Sequence, residues 1–468
     1  MRTRMPFRYG TTTLTTVPHL FLHVDVEIDG VLQRGVTSEG LAPGWFEKTP
    51  GLSYDAEIKR MLDAIRLASR LIEGQRFSSV FALWMRLYMG MQAASDAPPL
   101  LKSFGISMVE RGVIDAFCRF HEVPFADAVR ENAFGIDLGS IHTWLSGLEP
   151  ADLLPADRPS HLFVRHTIGL DDPIREREIK PENTVADGLP QSLEASIQTY
   201  GLSYFKIKLE GDVKRDIARL GAIWDVLSRS VNGAFHVTLD ANERFTTPLD
   251  VRDYLATLLQ DLHVQALFDR VSYLEQPLHR DVAFQDLTMA RPAGLEGLPI
   301  VIDESDGELT SLSRALDAGY AGVSHKNAKG VVKGIANACL LARLRQNDPD
   351  HPYLLTGEDF ASVGPIAMLQ DLAVCSTLGL KHVERNGHHY FTGLRMYPPA
   401  VWEQVFAHHS TLYARHEDGF PTVRIQEGRI YTESVLTSPF GFGPIFDPEP
   451  YLPIEAWNTD LSPNPARS

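Results

Sequence analysis

Tyr204-Phe205-Lys206-Ile207-Lys208, His236-Val237-Thr238-Leu239-Asp240, Val271-Ser272-Tyr273-Leu274-Glu275, Ile300-Val301-Ile302-Asp303 and Gly322-Val323-Ser324-His325-Lys326 are five short, mostly apolar runs, each ending in charge. Runs of this length, rich in Val, Ile, Leu and aromatic residues, predict buried parallel strands. Counted from Lys208, the charged ends are separated by 32, 35, 28 and 23 residues. Each interval suits one strand-plus-helix unit, which takes roughly 30 residues. Charge delivered once per unit, always behind the apolar run, is the pattern of a (β/α)8 barrel at its catalytic face.

Working outward, Leu162–Gly169 supplies a first strand, Tyr353–Gly357 a seventh and Lys381–Asn386 an eighth. Helical patterns fall between them over 190–200, 212–230, 331–345 and 365–378, and a polar loop from Asp171 to Asp187 interrupts the order. Upstream, the alternation from about Thr12 to Glu39 around Asp29-Gly30 predicts a β-hairpin. Ser38–Ser53, with Trp45 and Phe46, reads as a loop. Helices are expected over 55–72 and 101–120, the second with an apolar stripe through Met108, Val109, Val113, Ile114, Phe117 and Cys118. The chain therefore divides into an α+β domain at 1–155, a barrel at 156–397, and a segment at 398–468 where the alternation stops.

Composition narrows the function. Lys and Arg total 44 against 60 Asp and Glu, a net charge of −16 that argues against nucleic acid as partner. Cys118, Cys339 and Cys375 are far apart and form no CxxC, so neither a disulfide framework nor a structural zinc site is expected, and a reducing cytoplasm is the natural location. Met1–Pro18 holds no apolar run of signal-peptide length, and nowhere does an apolar stretch approach the ~20 residues of a membrane span. A soluble protein acting on a small molecule is expected.

Asp240, Glu275 and Asp303 end three consecutive predicted strands, so in a barrel their carboxylates converge on one mouth. Unneutralised they repel, and an all-oxygen set favours Mg²⁺, with Mn²⁺ as the alternative, over Zn²⁺. Any one of these acids alone reads as a solvated surface residue; the regular spacing and the flanking lysines favour a metal site. Lys206-x-Lys208 precedes the acids and Lys326 follows them. A lysine on either side of a bound metal suits removal of the proton next to a carboxylate: the metal stabilises the enediolate, and one lysine takes the proton while the other returns it. Neighbouring cations are expected to lower the lysine pKa values toward neutrality. Asn242 and Glu304 are candidates to orient the ligands, and Glu358 either contacts substrate or pairs with a barrel cation. Asp240-x-Asn242 opens like a calcium loop but lacks its Gly and Glu. His382, His388 and His389 have no metal-ligand spacing; substrate contact or plain surface is the expectation.

These motifs, taken in order, resemble the enolase superfamily, whose Lys or His base with Mg²⁺ is a general worked example. The resemblance rests on Lys206-Ile207-Lys208, Asp240-Ala241-Asn242, Glu275-Gln276-Pro277, Asp303-Glu304-Ser305 and Lys326-Asn327-Ala328-Lys329. It implies that Lys208 and Lys326 are the acid/base pair, Lys206 the assisting lysine, and Asp240, Glu275 and Asp303 the metal ligands. Lysines on strands two and six are similar to those of the muconate-lactonizing subgroup; the mandelate racemase subgroup instead carries a histidine on strand seven, where this chain has Thr356-Gly357-Glu358-Asp359. The resemblance also implies a capping domain closing on the barrel, a C-terminal segment packing back on the cap, and a homo-oligomer. Two departures stand out: His325 before Lys326, and Glu384-Arg385-Asn386-Gly387 at strand eight, which lacks the motif of dipeptide epimerases. The expected activity is Mg²⁺-dependent removal of the α-proton of a small carboxylic acid, as a racemase, epimerase or cycloisomerase. Rival outcomes are an acid-sugar-type dehydratase and a non-catalytic barrel serving as a binding subunit.

Overall fold

The computed structural model describes residues 1–10 and 12–457. Eight parallel strands form its centre: β5 (His161–Ile168), β6 (Tyr204–Lys208), β7 (His236–Asp240), β8 (Val271–Glu275), β9 (Ile300–Ile302), β10 (Gly322–His325), β11 (Leu354–Gly357) and β12 (His382–Arg385). Neighbours in sequence are neighbours in the sheet, and β12 pairs back onto β5, from His382↔Phe163 to Arg385↔His166, which closes the barrel. All eight coincide with the predicted runs. Register sets Lys208 beside Asp240 and Asp240 beside Glu275, so charge accumulates at one end.

The connecting helices start where local chemistry dictates. Asp212 accepts from the backbone N–H groups of Lys214 and Arg215 to cap the helix Val213–Ser230, and Ser192 caps Leu193–Tyr200 through Ala195 N–H. No helix among the described residues is long and apolar enough to cross a membrane.

The N-terminal cap comprises hairpins β1 (Arg2–Tyr9)/β2 (Thr12–Thr16) and β3 (His19–Ile28)/β4 (Val31–Gly40), then helices α1 (Tyr54–Ile72), α2 (Val80–Ala94) and α3 (Pro99–Phe120). Asp29 and Gly30 have φ of 51° and 81°, the two left-handed positions of a tight hairpin turn, as their sequence predicts. Two elements escape prediction. The β1–β2 hairpin has irregular polarity, and α2 is apolar on nearly every side, so neither shows a clean period.

Helix α3 departs from its expected stripe. It is buried on all sides, Ser103, Ser107, Glu110, Arg111 and Asp115 included, because it lies between the cap and the barrel. Against the cap, a Cβ on Gly35 of β4 would come within 2.0 Å of Gly112 O, so only glycine permits this approach. Against the barrel, Ser103 Oγ donates to Gly307 O at 2.9 Å, Ser107 Oγ donates to Asn327 O, and Glu110 accepts from Val331 and Val332 N–H at 3.1 and 2.6 Å. Helix α3 thus fixes the loops that follow β9 and β10.

Past residue 398 the chain forms a hairpin, β13 (Tyr413–Arg415) and β14 (Pro421–Val423), and then β15 (Arg429–Tyr431), which pairs antiparallel with the first residues of β5. Beyond it, the rings of Phe446 and Tyr451 lie 4.5 and 4.8 Å from Phe21 of β3. Residues 458–468 of this segment lie outside the described residues.

Candidate active site

Lys206 and Lys208 are two apart on β6 and so face the same side of the strand, the barrel interior. Strands β6 and β10 stand four places apart among eight, so Lys208 and Lys326, which follows β10, approach from opposite walls. Both line one pocket between barrel and cap. Lys208 Nζ lies 2.6 Å from Asp240 Oδ2, and Lys326 Nζ is paired with Asp303 Oδ2.

Beneath them Lys206 is fully enclosed. Its Nζ lies 3.0 Å from Asp240 Oδ2, 2.7 Å from Glu275 Oε2, 2.7 Å from Glu358 Oε2 and 3.1 Å from Glu384 Oε2. Burial pushes its pKa down, but these four carboxylates overcome that and hold it well above the usual lysine value. Lys326 behaves alike: burial lowers its pKa, and Asp303 more than restores it. Among the lysines that show a shift here, carboxylates therefore outweigh neighbouring cations, the reverse of the expected lowering.

Asp240 and Glu275 close their strands and Asp303 directly follows β9, as the spacing predicts. Their oxygens do not meet at one point. Lys206 spans Asp240 and Glu275, while Asp303 is held by Lys326, by Lys329 at 3.2 Å and by Ser324 Oγ. Among the described residues no three His, Cys, Asp or Glu side chains are placed to hold a metal ion together. The donor set nevertheless fits a hard cation in kind. All three are buried carboxylates, the hard oxygen donors that such a cation takes. Burial first, then repulsion from Asp240 and Glu358, with Asp303 adding to it, pushes the Glu275 pKa well up, as expected of a carboxylate crowded among anions.

Asn242, at φ 42°, donates from Nδ2 to Glu304 Oε1 at 3.0 Å, and its backbone N–H donates to Asp240 Oδ1 at 2.9 Å. Burial, then Asp303 and Glu243, raises Glu304 to about 7. Glu358 pairs with Lys206 and Arg165 and accepts from Tyr273 Oη at 3.0 Å; it belongs to the barrel interior. His389 is buried and His388 half-buried, and neither lines the pocket that holds the lysines. His388 Nε2 lies 3.1 Å from His166 Nδ1, and the His389 ring is 4.7 Å from that of His166. His382 Nδ1 lies 2.6 Å from Arg165 Nη1, and His325 turns to Asn327 Oδ1 at 3.0 Å.

The cap supplies an apolar wall. Phe7, Tyr9, Leu14 and Trp45 line the pocket together with Phe360, whose ring packs 5.2 Å from that of Trp45, and the Trp45 ring centroid lies 4.6 Å from Lys326 Nζ. Phe46 stands behind, 4.6 Å from Phe104. The β1–β2 hairpin is moored to the 171–187 loop and the end of the barrel: Arg4 pairs with Asp187 and donates to His389 O at 2.7 Å, and Arg8 lies 3.1 Å from Asp171. The hairpin residues and Asn386 of the pocket, with Lys329 and Arg165 beside it, escape sequence reasoning. Only Lys329 carries a legible signal, three residues past Lys326.

No protein-family model matches the sequence, and no curated protein matches it. Solved structures do. An isomerase from Streptomyces coelicolor A3(2) matches with a TM-score of 0.56 at 15% identity, covering 95% of this chain and 94% of that one. A dipeptide epimerase from Enterococcus faecalis V583, complexed with Mg and L-Leu-L-Tyr, matches at 0.55 and 15% identity over 84% of this chain and 88% of that one. A mandelate racemase/muconate lactonizing enzyme from Bordetella bronchiseptica RB50 matches at 0.53 and 14% identity over 96% and 98%. The chain shares the fold of these enzymes, a closed eight-stranded parallel barrel with an N-terminal cap. In this fold Lys208 and Lys326 line the pocket between barrel and cap, and Asp240, Glu275 and Asp303 lie at the same ends of their strands.

Proposed function

We propose that the chain is a Mg²⁺-dependent enzyme that removes the α-proton of a small carboxylic acid and returns it, a racemase or epimerase working through Lys208 and Lys326. One observation carries the reading: these two ammonium groups enter a single pocket from opposite walls. An α-carbon between them presents one face to each. A deprotonated lysine takes the proton from its side, and the protonated one delivers to the other, inverting the centre. Held by Asp240, Glu275 and Asp303, Mg²⁺ would supply positive charge to the substrate carboxylate as the α-proton leaves. Asp303 keeps Lys326 protonated while it pairs with it, and drawing that carboxylate away lowers the lysine pKa. Lys206 anchors the acids from below, and Glu304 steadies Asn242 beside Asp240. The apolar cap wall keeps water from the reacting carbon.

The dipeptide epimerase complexed with Mg and L-Leu-L-Tyr has the same fold, which supports both the metal and the reaction class. The test is α-proton exchange. The protein, Mg²⁺ and a panel of α-substituted carboxylic acids are incubated in D₂O, and the α-proton signal is followed by NMR. Deuterium uptake with both stereoisomers is the expected result. A keto-acid product would reassign the chemistry to elimination, and a ring-closed product to cycloisomerisation. No exchange with any acid overturns the proposal.

A further inference from the structure

A second cavity adjoins the lysine pocket. Asp359, Phe360, Ala361 and Asn386 line the lysine pocket, and the residues that follow them, Ser362, Val363 and Gly364 on one segment and Gly387 and His388 on the other, line the second. The two spaces therefore share these segments as a partition. Tyr413 and Val423 of the β13–β14 hairpin also line the second cavity, whose space of about 410 Å³, the open mouth included, suits a small molecule.

Its lining carries no fixed charge. Among the described residues that line it there is no Asp, Glu, Lys or Arg. Burial first, then His389, Arg4 and Arg385, lowers the His388 pKa to about 3, so this ring is neutral. Leu189, Val363, Met368, Leu394 and Val423 make most of the wall apolar. An ion entering here would lose its water and gain no counter-charge, a large cost.

Two polar atoms nevertheless lack partners. Tyr413 is 1% exposed, and its Oη is buried with no hydrogen-bond partner, packed so closely on Gly364 that a Cβ there would lie 2.0 Å from it. Burial raises the phenol pKa, so Tyr413 keeps its proton. His388 Nδ1 is buried and unpaired as well, while its Nε2 is engaged with His166. By contrast, Ser362 Oγ donates to Glu39 Oε1 at 3.4 Å and Thr422 Oγ1 to Ala414 O at 3.4 Å. An unmatched buried donor or acceptor costs free energy until a partner arrives. A hydroxyl both donates and accepts, so it pairs equally well with Tyr413 Oη and with either tautomer of His388.

We infer that this cavity is an effector site for a small neutral molecule, a phenol or an alcohol with an apolar body, whose hydroxyl pairs with Tyr413 Oη. Occupancy braces the shared partition and so reaches Phe360 and Asn386 in the lysine pocket. The site is separate from the lysines that handle the proton, and its ligand needs no carboxylate.

The test titrates the protein in Mg²⁺ with phenol, toluene and benzoate, following NMR of methyl-labelled methionine, with Met368→Leu to assign the Met368 signal. Phenol should move that signal saturably and bind up to about tenfold more tightly than toluene, one hydrogen bond's worth. Benzoate should leave it unmoved. Tyr413→Phe should abolish the preference for phenol, and without ligand it should be at least as stable as the wild type, because it deletes an unmatched oxygen. Should Tyr413→Phe not fold, the wild-type comparison of phenol with toluene decides alone. Amide hydrogen exchange at Phe360 and Asn386 should slow when phenol saturates the site. These readouts need no substrate of the lysine pocket, so failure of the proposed reaction leaves them intact. A Met368 signal that phenol does not move, equal binding of phenol and toluene, a preference that survives in Tyr413→Phe, or an equal response to benzoate overturns the inference. Binding without slower exchange at Phe360 and Asn386 overturns the effector role.

Discussion

Lys206 Nζ lies 2.7 Å from Glu358 Oε2, a contact that crosses the barrel interior from β6 to β11. The same ammonium touches Asp240, Glu275 and Glu384, so one cation pairs with acids from four strands. Removing a partner from a buried ionic cluster leaves uncompensated charge. Lys206→Ala is therefore expected to destabilise the fold by about 3–5 kcal/mol. Glu358→Gln, which keeps the shape and removes one negative charge, should cost less. Urea unfolding of both variants checks the order; an equally stable Lys206→Ala would mean that the interior network is not structural.

Lys208→Ala and Lys326→Ala should each lower turnover by about 10²–10⁴-fold or more, the range for losing a positioned acid or base. Both should remain folded. Asp240 keeps Lys206 at 3.0 Å and Asn242 N–H at 2.9 Å, and Asp303 keeps Lys329 at 3.2 Å and Ser324. Steady-state assays beside circular dichroism read the two effects separately. Normal turnover in either variant ends the two-base assignment.

Glu110 joins the cap to the barrel by accepting from Val331 and Val332 N–H at the start of the helix after β10. Glu110→Ala leaves both donors buried without that acceptor, and the loss should be about 2–6 kcal/mol at about 1–3 kcal/mol per unmatched group. Glu110→Gln retains an acceptor oxygen and should lose less. Hydrogen exchange at 331 and 332, measured with the melting temperature, locates the effect: faster exchange there than in β7 is expected for Glu110→Ala.

His19 on β3 has both ring nitrogens buried without a partner, beside Phe21 and Tyr397. Burial first, then the chain's amino terminus and Arg111, lowers its pKa to about 3. The unfolded chain binds a proton near 6.5 while the folded chain stays neutral, so this group's stability contribution is present above about pH 6.5 and is lost as pH falls toward 3. Between pH 7 and pH 5 that loss is about 2 kcal/mol. His19→Phe should flatten the wild-type fall in urea midpoint across that interval; an unchanged slope would assign the acid sensitivity to other groups.

Much of the barrel was legible because its strands obey a simple constraint. A parallel strand covered by helices must be apolar along its length, and the covering helix spaces the next strand by a nearly constant interval. Lys206, Lys208, Asp240, Glu275, Asp303 and Lys326 could thus be placed at one end of the barrel from spacing alone. The turn at Asp29-Gly30 was equally plain, since few residues other than glycine and asparagine or aspartate adopt two successive left-handed conformations.

Tertiary structure alone decided which charge each of those residues faces. Spacing puts side chains within reach of one mouth; it does not say that Lys206 takes four acids or that Asp303 turns to Lys326 and Lys329, because ion pairing is settled by side-chain direction over a few ångströms. Nor could spacing reveal helix α3 buried on all sides, since polar residues there are satisfied by barrel loops more than 200 positions away. The pocket wall was hidden for the same reason. Phe7, Trp45 and Asn386 have no local pattern in common, and only the closure of β12 on β5 and the docking of the cap bring them together.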